Sequence, residues 1–211
     1  MSVALKKLLL LFAFAALSFS NAQQTDTLQK KLYVKANALF LPVGVLNAGL
    51  EYQLNNKMTV QGDIFISPWK SFAGKYAQVY MAGLDGRYYF KEAFKHWYVG
   101  GNFSFARYKI QKWNYWGGVF QYEPESPIYD SADLYQDGFS FFLGAVVGYQ
   151  FKLNENWNMD LYLCGGTAQS YYKGFHKKLG VRYDTDPDRI YNQSGEWIPY
   201  RGGVMISYQI K

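Results

Sequence analysis

The sequence has little of what several protein classes require. It contains one cysteine among 211 residues, Cys164, so no intramolecular disulfide can form. Its two histidines, His96 and His176, both lie near predicted turns or loops, which disfavours a catalytic cysteine. No long apolar run follows Ala22, so no transmembrane helix is predicted after that residue.

The charge balance also excludes a class of partner. The chain has 22 Lys and Arg against 16 Asp and Glu, and without Lys6 and Lys7 the balance is 20 against 16, or +4. The basic residues are dispersed, so no nucleic-acid partner is predicted and contact with anionic lipid head groups is only weakly favoured. Aromatic residues make up 20% of the chain, which is typical of a barrel with aromatic belts.

The first 22 residues have the pattern of a secretory signal peptide. Lys6 and Lys7 form a basic region, residues 8–17 are apolar, and Ser20 and Ala22 are small residues at the positions that signal peptidase recognises. The alternative, an N-terminal membrane anchor, is less consistent because the apolar run is too short to span a bilayer. We therefore expect cleavage before Gln23, a short periplasmic segment over 23–31 and one barrel domain over 32–211.

The segment 138–172 alternates between two kinds of side chain. Apolar residues occupy the odd positions from Phe139 to Phe151 and again from Trp157 to Leu163, while the even positions are mostly small or polar. Alternate side chains of a strand point to opposite faces, so this is a predicted hairpin with one apolar and one narrow polar face. Its strands, about 14 residues each, are long enough to cross a membrane. A soluble lipocalin-like barrel or sandwich is the alternative.

The same alternation recurs in six further segments, so the sequence predicts eight strands. The predicted apolar faces run over Leu32 to Phe40, Ala48 to Leu54, Met58 to Ile66, Tyr80 to Phe90, Trp97 to Phe105, the two strands of the hairpin at 138–172, and finally Ile198, Tyr200, Val204, Ile206, Tyr208 and Ile210. Eight strands is the smallest size of known outer-membrane barrels.

The predicted connections between these strands sort by length. Short ones cover 55–57, 91–95 and 153–156, and longer ones cover 67–77, 110–137 and 173–196, although 42–46 is short on the long side. Short periplasmic turns and long external loops are expected of an outer-membrane barrel, which places both termini in the periplasm. Aromatic residues near the turn end of the apolar face fit a belt at the lipid–water interface.

Charged residues of the opposite parity are predicted to face the barrel interior. They are Lys35, Glu51, Asp63, Asp85, Arg87, Asp160 and Arg201. Because isolated charges in a narrow interior are costly, we expect them to pair and to plug the interior. A channel for small solutes is the less favoured alternative.

Short motifs among these residues resemble an uncharacterised family of small bacterial outer-membrane barrels, the domain of unknown function 3575. The motifs are K-x-N at Lys35 and Asn37, N-x-G-x-E at Asn47, Gly49 and Glu51, and an acidic residue before R-Y-Y at Asp85, Arg87 and Tyr88. The chain departs from the pattern in having Asp85 where Glu is expected. The resemblance, with a broader similarity to eight-stranded barrels of the OmpA and OmpX type, implies an outer-membrane barrel without established catalytic residues.

Two predicted loops carry candidate binding features. An aromatic set in 110–137 comprises Trp113, Tyr115, Trp116, Phe120 and Tyr122. Exposed apolar patches often mark binding surfaces, and the alternative is that this loop packs on itself. In 173–196, Asp184, Asp186 and Asp188 have the spacing that opens a calcium loop, but the required Gly and distal Glu are missing, so a solvated acidic tip is favoured.

The sequence therefore predicts an all-β fold, a closed antiparallel transmembrane β-barrel of about eight strands with up-and-down connections. We expect a non-enzymatic structural or interaction role in the bacterial outer membrane, without cofactor or metal. Expected partners are outer-membrane lipid and a protein or surface ligand of the two long loops. The alternative is a lipid-modifying enzyme, but His176 lies six residues after Ser170, a spacing that matches no catalytic triad.

Overall fold

A computed structural model describes residues 30–111, 118–121, 123–184 and 189–210. Eight antiparallel strands close into a barrel, each next to its neighbour in the sequence. The barrel strands are β1 (Leu32–Asn37), β2 (Leu46–Gln53), β3 (Met58–Phe72), β4 (Lys75–Tyr89), β5 (His96–Ile110), β8 (Leu134–Lys152), β9 (Trp157–His176) and β10 (Asn192–Gln209). A separate small hairpin joins β6 (Val119–Phe120) to β7 (Tyr129–Asp130). The predicted all-β, closed antiparallel fold is confirmed.

The two faces of the barrel wall differ in the way that the alternation predicts. Large apolar side chains on the outer face are exposed, among them Leu84, Phe103 and Leu143. The inner face buries charged, amide and small side chains together with several tyrosines. Because side chains alternate along a strand, the period-two pattern sets which residues enter the lumen, meaning the space inside the barrel.

The barrel closes between the first and last strands. β1 pairs with β2 on one side and with β10 on the other, so that Val34 is in register with both Leu50 and Tyr208. Closure leaves no free strand edge at this level of the barrel, which removes the aggregation risk of unpaired edges.

The first two strands are much shorter than the other barrel strands. β1 and β2 have six and eight residues, against 15 to 20 in the rest. Their connection, 38–45, contains a 3₁₀ turn at Leu41–Val43 and is held to β3 by a 2.9 Å hydrogen bond from Trp69 Nε1 to the carbonyl oxygen of Val43. Gly44 has a φ of 68° and lies so close to the Trp69 ring that a side chain there would clash.

A β-bulge changes the parity of β10. Pro199 pairs with Gly165 and Arg201 pairs with Cys164, so Tyr200 is an extra residue. Bulges accommodate such a residue and are among the few sheet positions that tolerate proline. The prediction that Ile198 and Tyr200 lie on the outer apolar face is therefore wrong, because both pack against a buried cluster on the inner face.

The predicted connections also need correction. The stretch 67–77 is mostly strand, and the turn between β3 and β4 is only Ala73 and Gly74, both with the positive φ that tight hairpins require. β8 already begins at Leu134 and β9 continues to His176, so both long loops are shorter than predicted.

The connections nevertheless differ between the two ends of the barrel. The turn end has short connections at 54–57, 90–95 and 153–156, and it also holds the start of β1 and the end of β10. The opposite end, called the loop end below, has two long connections at 111–133 and 177–191 and two short ones. The predicted length asymmetry therefore rests on two long loops rather than three.

The predicted signal peptide lies outside the described residues. Within the described ranges, no helix is long and apolar enough to cross a membrane.

The pairing that closes the barrel is testable by cross-linking. Val34 and Tyr208 are direct antiparallel partners, and the Cα separation of about 4.5–5.5 Å in such pairs suits a disulfide. We expect the double variant Val34→Cys, Tyr208→Cys to cross-link on mild oxidation and to migrate differently from its reduced form on a denaturing gel. The native Cys164 is buried and should not compete.

The matched control is the double variant Val34→Cys, Leu84→Cys. Leu84 is also exposed on the outer face but belongs to β4, which does not pair with β1. Equal cross-linking of the two variants, or none in the first, would contradict the observed closure.

Candidate functional site

The seven charged residues predicted to face inward lie together inside the barrel, and all are buried. Six different strands supply them, so the cluster exists only in the closed barrel. We call these seven residues the ion network; they are Lys35, Glu51, Asp63, Asp85, Arg87, Asp160 and Arg201.

Two cations and two carboxylates form the centre of the ion network. Lys35 Nζ lies 2.7 Å from Glu51 Oε2 and 2.5 Å from Asp160 Oδ2. Arg87 Nη1 lies 2.9 Å from the same Asp160 oxygen and 3.4 Å from the same Glu51 oxygen. Each carboxylate is thus shared by two cations, which compensates for the removal of these charges from water.

The second part of the ion network lies around Asp85. Arg87 Nη2 contacts Asp85 at 3.0 Å, and Arg201 Nη2 contacts both oxygens of the same carboxylate at 2.9 and 3.0 Å. Arg201 Nη1 also lies 3.1 Å from Asp63. Asp85 therefore connects the two arginines. Arg87 also contacts Asp160, whereas Arg201 contacts Asp63 and Asp85.

Neutral side chains complete the ion network, and sequence reasoning missed most of them. Tyr98 donates to Asp160 at 2.8 Å, whereas Tyr89 and Thr59 donate to Glu51 at 2.7 and 2.6 Å. The Arg87 guanidinium lies 4.7 Å from the centre of the Tyr98 ring, within cation–π range. Tyr89 and Tyr98 have the inward parity of their strands, and this signal was available in the sequence.

An apolar cluster seals the turn-end side of the ion network. Phe94, in the connection between β4 and β5, turns inward and packs on Tyr33 with ring centres 4.5 Å apart. It also contacts Tyr89, whose ring lies 5.0 Å from that of Tyr98. The lumen at this end is therefore filled by aromatic rings and paired charges.

The residues of the family motif have mostly internal positions. Four of them, Lys35, Glu51, Asp85 and Arg87, belong to the ion network. Two further members, Asn37 and Asn47, are buried and share a 3.0 Å hydrogen bond that Asn37 donates. At Gly49 the wall is so close that a Cβ atom would lie 2.6 Å from a backbone oxygen of β3. Tyr88 differs from the others because it is exposed on the outer face. The motif therefore describes interior packing around the paired charges.

The structure describes only part of the two long loops that carry the candidate binding residues. Phe120 packs edge-to-face at 5.1 Å on Tyr183, which belongs to the second long loop, so this member of the aromatic set contacts the neighbouring loop. Burial and the nearby Asp184 carboxylate raise the pKa of Tyr183 to about 12. Trp113, Tyr115, Trp116 and Tyr122 lie outside the described residues.

Asp184 has a structural role in the second long loop. Its carboxylate accepts hydrogen bonds from the backbone N–H of Gly174 at 2.6 Å and from Arg182 Nε at 2.7 Å, and it also contacts Asn192. The other two residues of the calcium-like spacing, Asp186 and Asp188, lie outside the described residues. Among the residues that are described, no three His, Cys, Asp or Glu side chains are grouped to hold a metal ion.

Within the described residues, the hydrogen bonds of the two histidines are to neutral groups. His96 contacts the Tyr149 hydroxyl at 2.8 Å at the turn end, and His176 Nδ1 accepts from the backbone N–H of Leu179 at 3.2 Å. Ser170 contacts Ser140 at 2.6 Å and lies six residues from His176 on the same strand, a span of about 20 Å. That serine and that histidine cannot act as a pair.

The ion network makes the stability of the barrel sensitive to the loss of one charge. Arg87→Met removes the cation that contacts three carboxylates, and we expect it to lower the free energy of unfolding by about 3–5 kcal/mol because the carboxylates stay buried. Urea titration of the protein in detergent micelles measures this change.

Arg107→Met is the matched control for that measurement. Arg107 is half exposed on the outer face and pairs with Asp137 at the surface, so its loss should cost at most about 1 kcal/mol. Similar effects of the two substitutions would contradict the importance assigned to the ion network.

The comparison with known proteins gives one result that covers nearly the whole chain. No curated protein matches it. The model of one family, described as "Protein of unknown function (DUF3575)", matches residues 8–210, which include every barrel strand. The resemblance drawn from the inward-facing motif is thereby confirmed, and the chain belongs to the DUF3575 family.

Proposed function

We propose that the protein is a non-enzymatic β-barrel of the bacterial outer membrane with a structural or interaction role. The observation that carries this proposal is the polarity of the barrel, which exposes large apolar side chains on its outer wall and buries seven charged residues inside. A soluble protein has the opposite arrangement, whereas lipid requires an apolar exterior.

The outer wall is apolar over most of its circumference. Exposed apolar side chains occur on every barrel strand, for example Val34, Leu50, Ile64, Leu84, Phe103, Leu143, Leu163 and Tyr208. Soluble monomers rarely expose contiguous apolar patches larger than a few hundred Å². A continuous band of this kind is the surface expected for contact with lipid acyl chains.

Aromatic residues at the turn end support the same orientation. Trp97 packs on Tyr149 at 5.2 Å, and Trp157 packs on Tyr208 at 4.9 Å, all on the outer wall. Tryptophan and tyrosine concentrate where the bilayer meets water, and short turns are typical of the periplasmic side. In this placement both ends of the barrel sequence are periplasmic and the two long loops are external.

The ion network and the positions of the histidines favour a non-conducting, non-enzymatic role. Paired charges and the ring of Phe94 occupy the turn-end lumen, so solute has no evident route through it. The best serine and histidine candidates, Ser170 and His176, are too far apart to cooperate. The long loops 110–137 and 173–196 are the surfaces that we propose for a protein or surface ligand.

The proposed contact with lipid is testable with two leucines that have the same exposure. Leu143 on β8 and Leu179 in a long loop are both 62% exposed. If the wall faces lipid, Leu143→Arg should lower the free energy of unfolding in lipid vesicles by about 2–4 kcal/mol, because arginine is costly at the bilayer midplane. Leu179→Arg should have an effect below about 0.5 kcal/mol.

Equal and small effects of the two arginines would contradict the membrane placement. Recovery of the protein in the soluble periplasmic fraction, rather than in sedimented outer membranes, would also contradict it.

The proposed plug is testable by conductance. We expect purified protein in planar bilayers to give no steady, large conductance, because the ion network fills the narrow interior of an eight-stranded barrel. Steady open-channel currents would contradict the plug and favour a solute channel. The variant Arg87→Met serves as a comparison, since disruption of the ion network should increase leakage.

A further inference from the structure

The loop-end half of the lumen contains space that the ion network does not fill. A cavity of about 450 Å³ lies between the inner faces of β4, β5, β8, β9 and β10. A second cavity of about 390 Å³ shares Val79, Met81 and Tyr200 with the first. The two adjoining cavities are called the chamber here, and each is within the usual range for a small-molecule site, roughly 300–1,000 Å³.

The wall of the chamber is mainly apolar, with hydroxyl groups in the larger cavity and the paired Arg201 side chain in the smaller one. Met81, Ala106, Phe142, Ala168 and Ile198 supply apolar surface. Hydroxyl groups are added by Tyr108, Ser140, Ser170, Tyr172 and Ser194. Among the described residues that line the larger cavity, Glu196 is the one charged side chain, and it is exposed.

The bulge in β10 creates the base of the chamber. It turns Tyr200 inward next to Arg201, and the Tyr200 ring packs on Phe142 with centres 4.8 Å apart. The Tyr200 hydroxyl donates to Asn102 at 2.7 Å, and Asn102 in turn contacts Asp85. Tyr200 thus lies between the larger cavity and the Asp85 part of the ion network, whereas Arg201 of the ion network lines the smaller cavity.

The short first strands leave the wall beside the chamber incomplete. The part of β10 before Gly203 pairs only with β9, and the part of β3 after Ile66 pairs only with β4. Among the described residues, the connection 38–45 lies between these two strand edges. We call this gap the notch.

The smaller cavity extends from the lumen into the notch. It is lined by the inward-facing Phe65 and Met81, but also by Leu163 and Pro199, which are exposed on the outer wall, and by Phe40 from the connection between β1 and β2. A cavity lined by both faces of a sheet passes through the sheet. The chamber is therefore accessible from the side of the barrel.

We propose that the chamber binds an amphipathic molecule with a single alkyl chain and an uncharged or cationic head group. The alkyl chain would lie against Met81, Phe142 and Ile198, and the head group near Ser140 and Glu196. Apolar pockets with a few convergent polar groups recognise ligands of this shape, and the Glu196 carboxylate disfavours an anionic head group. Binding to the chamber is independent of the membrane placement, whereas entry from lipid through the notch rests on the proposed function.

Photochemical labelling tests the proposal directly. The probe is a monoacylglycerol that carries a diazirine at the end of its alkyl chain, added to the full chain in detergent micelles. We expect peptide mapping to locate the label on inward-facing residues of the chamber, such as Met81, Phe142 or Ile198. Label restricted to outward-facing residues would overturn the proposal, because it would show surface contact alone.

A matched pair of variants tests whether the chamber itself is the site. Ala168→Trp fills the chamber at a residue that is 3% exposed, whereas Ala145→Trp adds the same ring to the exposed outer face of the neighbouring strand. We expect chamber labelling to fall at least tenfold in the first variant and to stay unchanged in the second. Unchanged labelling in Ala168→Trp would overturn the proposal.

Folding of both variants is checked by the difference in gel migration between boiled and unboiled samples. If Ala168→Trp does not fold, the smaller substitution Ala106→Leu, also at a buried chamber residue, replaces it. The mapping on the unsubstituted chain decides the proposal in either case.

A second arm identifies the source of the alkyl chain. The protein is placed in lipid nanodiscs that contain a phosphatidylcholine with a diazirine on one acyl chain. Label in the chamber from this lipid would support entry through the notch. If only the added monoacylglycerol labels the chamber, the chamber is a binding site for a ligand that enters from solution. That result would contradict the entry of bilayer lipid through the notch. Failure of both probes would overturn the chamber as a site without bearing on the membrane placement.

Discussion

The structure depends on the shared burial of Arg87 and the carboxylates around it. Arg87 contacts Glu51, Asp85 and Asp160, which come from β2, β4 and β9. A buried charge without a partner is strongly destabilising, so these strands must come together for the barrel to form. Lys35 on β1 and Arg201 on β10 extend the same constraint to the two strands at which the barrel closes. The ion network thereby links the interior of the barrel to its closure.

The two halves of the lumen have different physical characters because of the ion network and the bulge. At the turn end, paired charges and inward-turned aromatic rings fill the space. Towards the loop end, the bulge places Ile198 and Tyr200 inside, and the lining becomes mainly apolar. The short β1 and β2 leave the wall incomplete beside this apolar half. A closed half that stabilises the barrel thus lies beneath a half that has room for a ligand.

Much of the barrel was predictable because the alternation that marks each strand can be read from the sequence of that strand alone. Strict alternation assigns Lys35, Arg87 and Asp160 to the inner face without knowledge of any contact, since a strand has only two faces. The errors arose where the local rule changes. An extra residue at Tyr200 reverses the parity of the preceding part of β10, and the Ala73–Gly74 turn replaces a predicted long loop, because strand pairing overrides the weak apolar pattern there. The tyrosine partners of the ion network cannot be identified from charge and parity alone, because their hydroxyl groups are neutral and tyrosine occurs on both faces of the wall.

Period-two alternation along each strand is sufficient to predict the class of fold, the number of barrel strands and the inward position of the seven charges. Which of these charges pair is fixed only when the strands assemble into the closed barrel. Asp160, for instance, contacts Lys35 from β1 and Arg87 from β4, whereas Arg201 contacts Asp63 and Asp85. The bulge in β10 forms part of the chamber, and the short β1 and β2 leave the notch, only once the barrel has closed. The physical reason is that register between strands distant in the sequence is set by pairing across the whole sheet, which no single segment encodes.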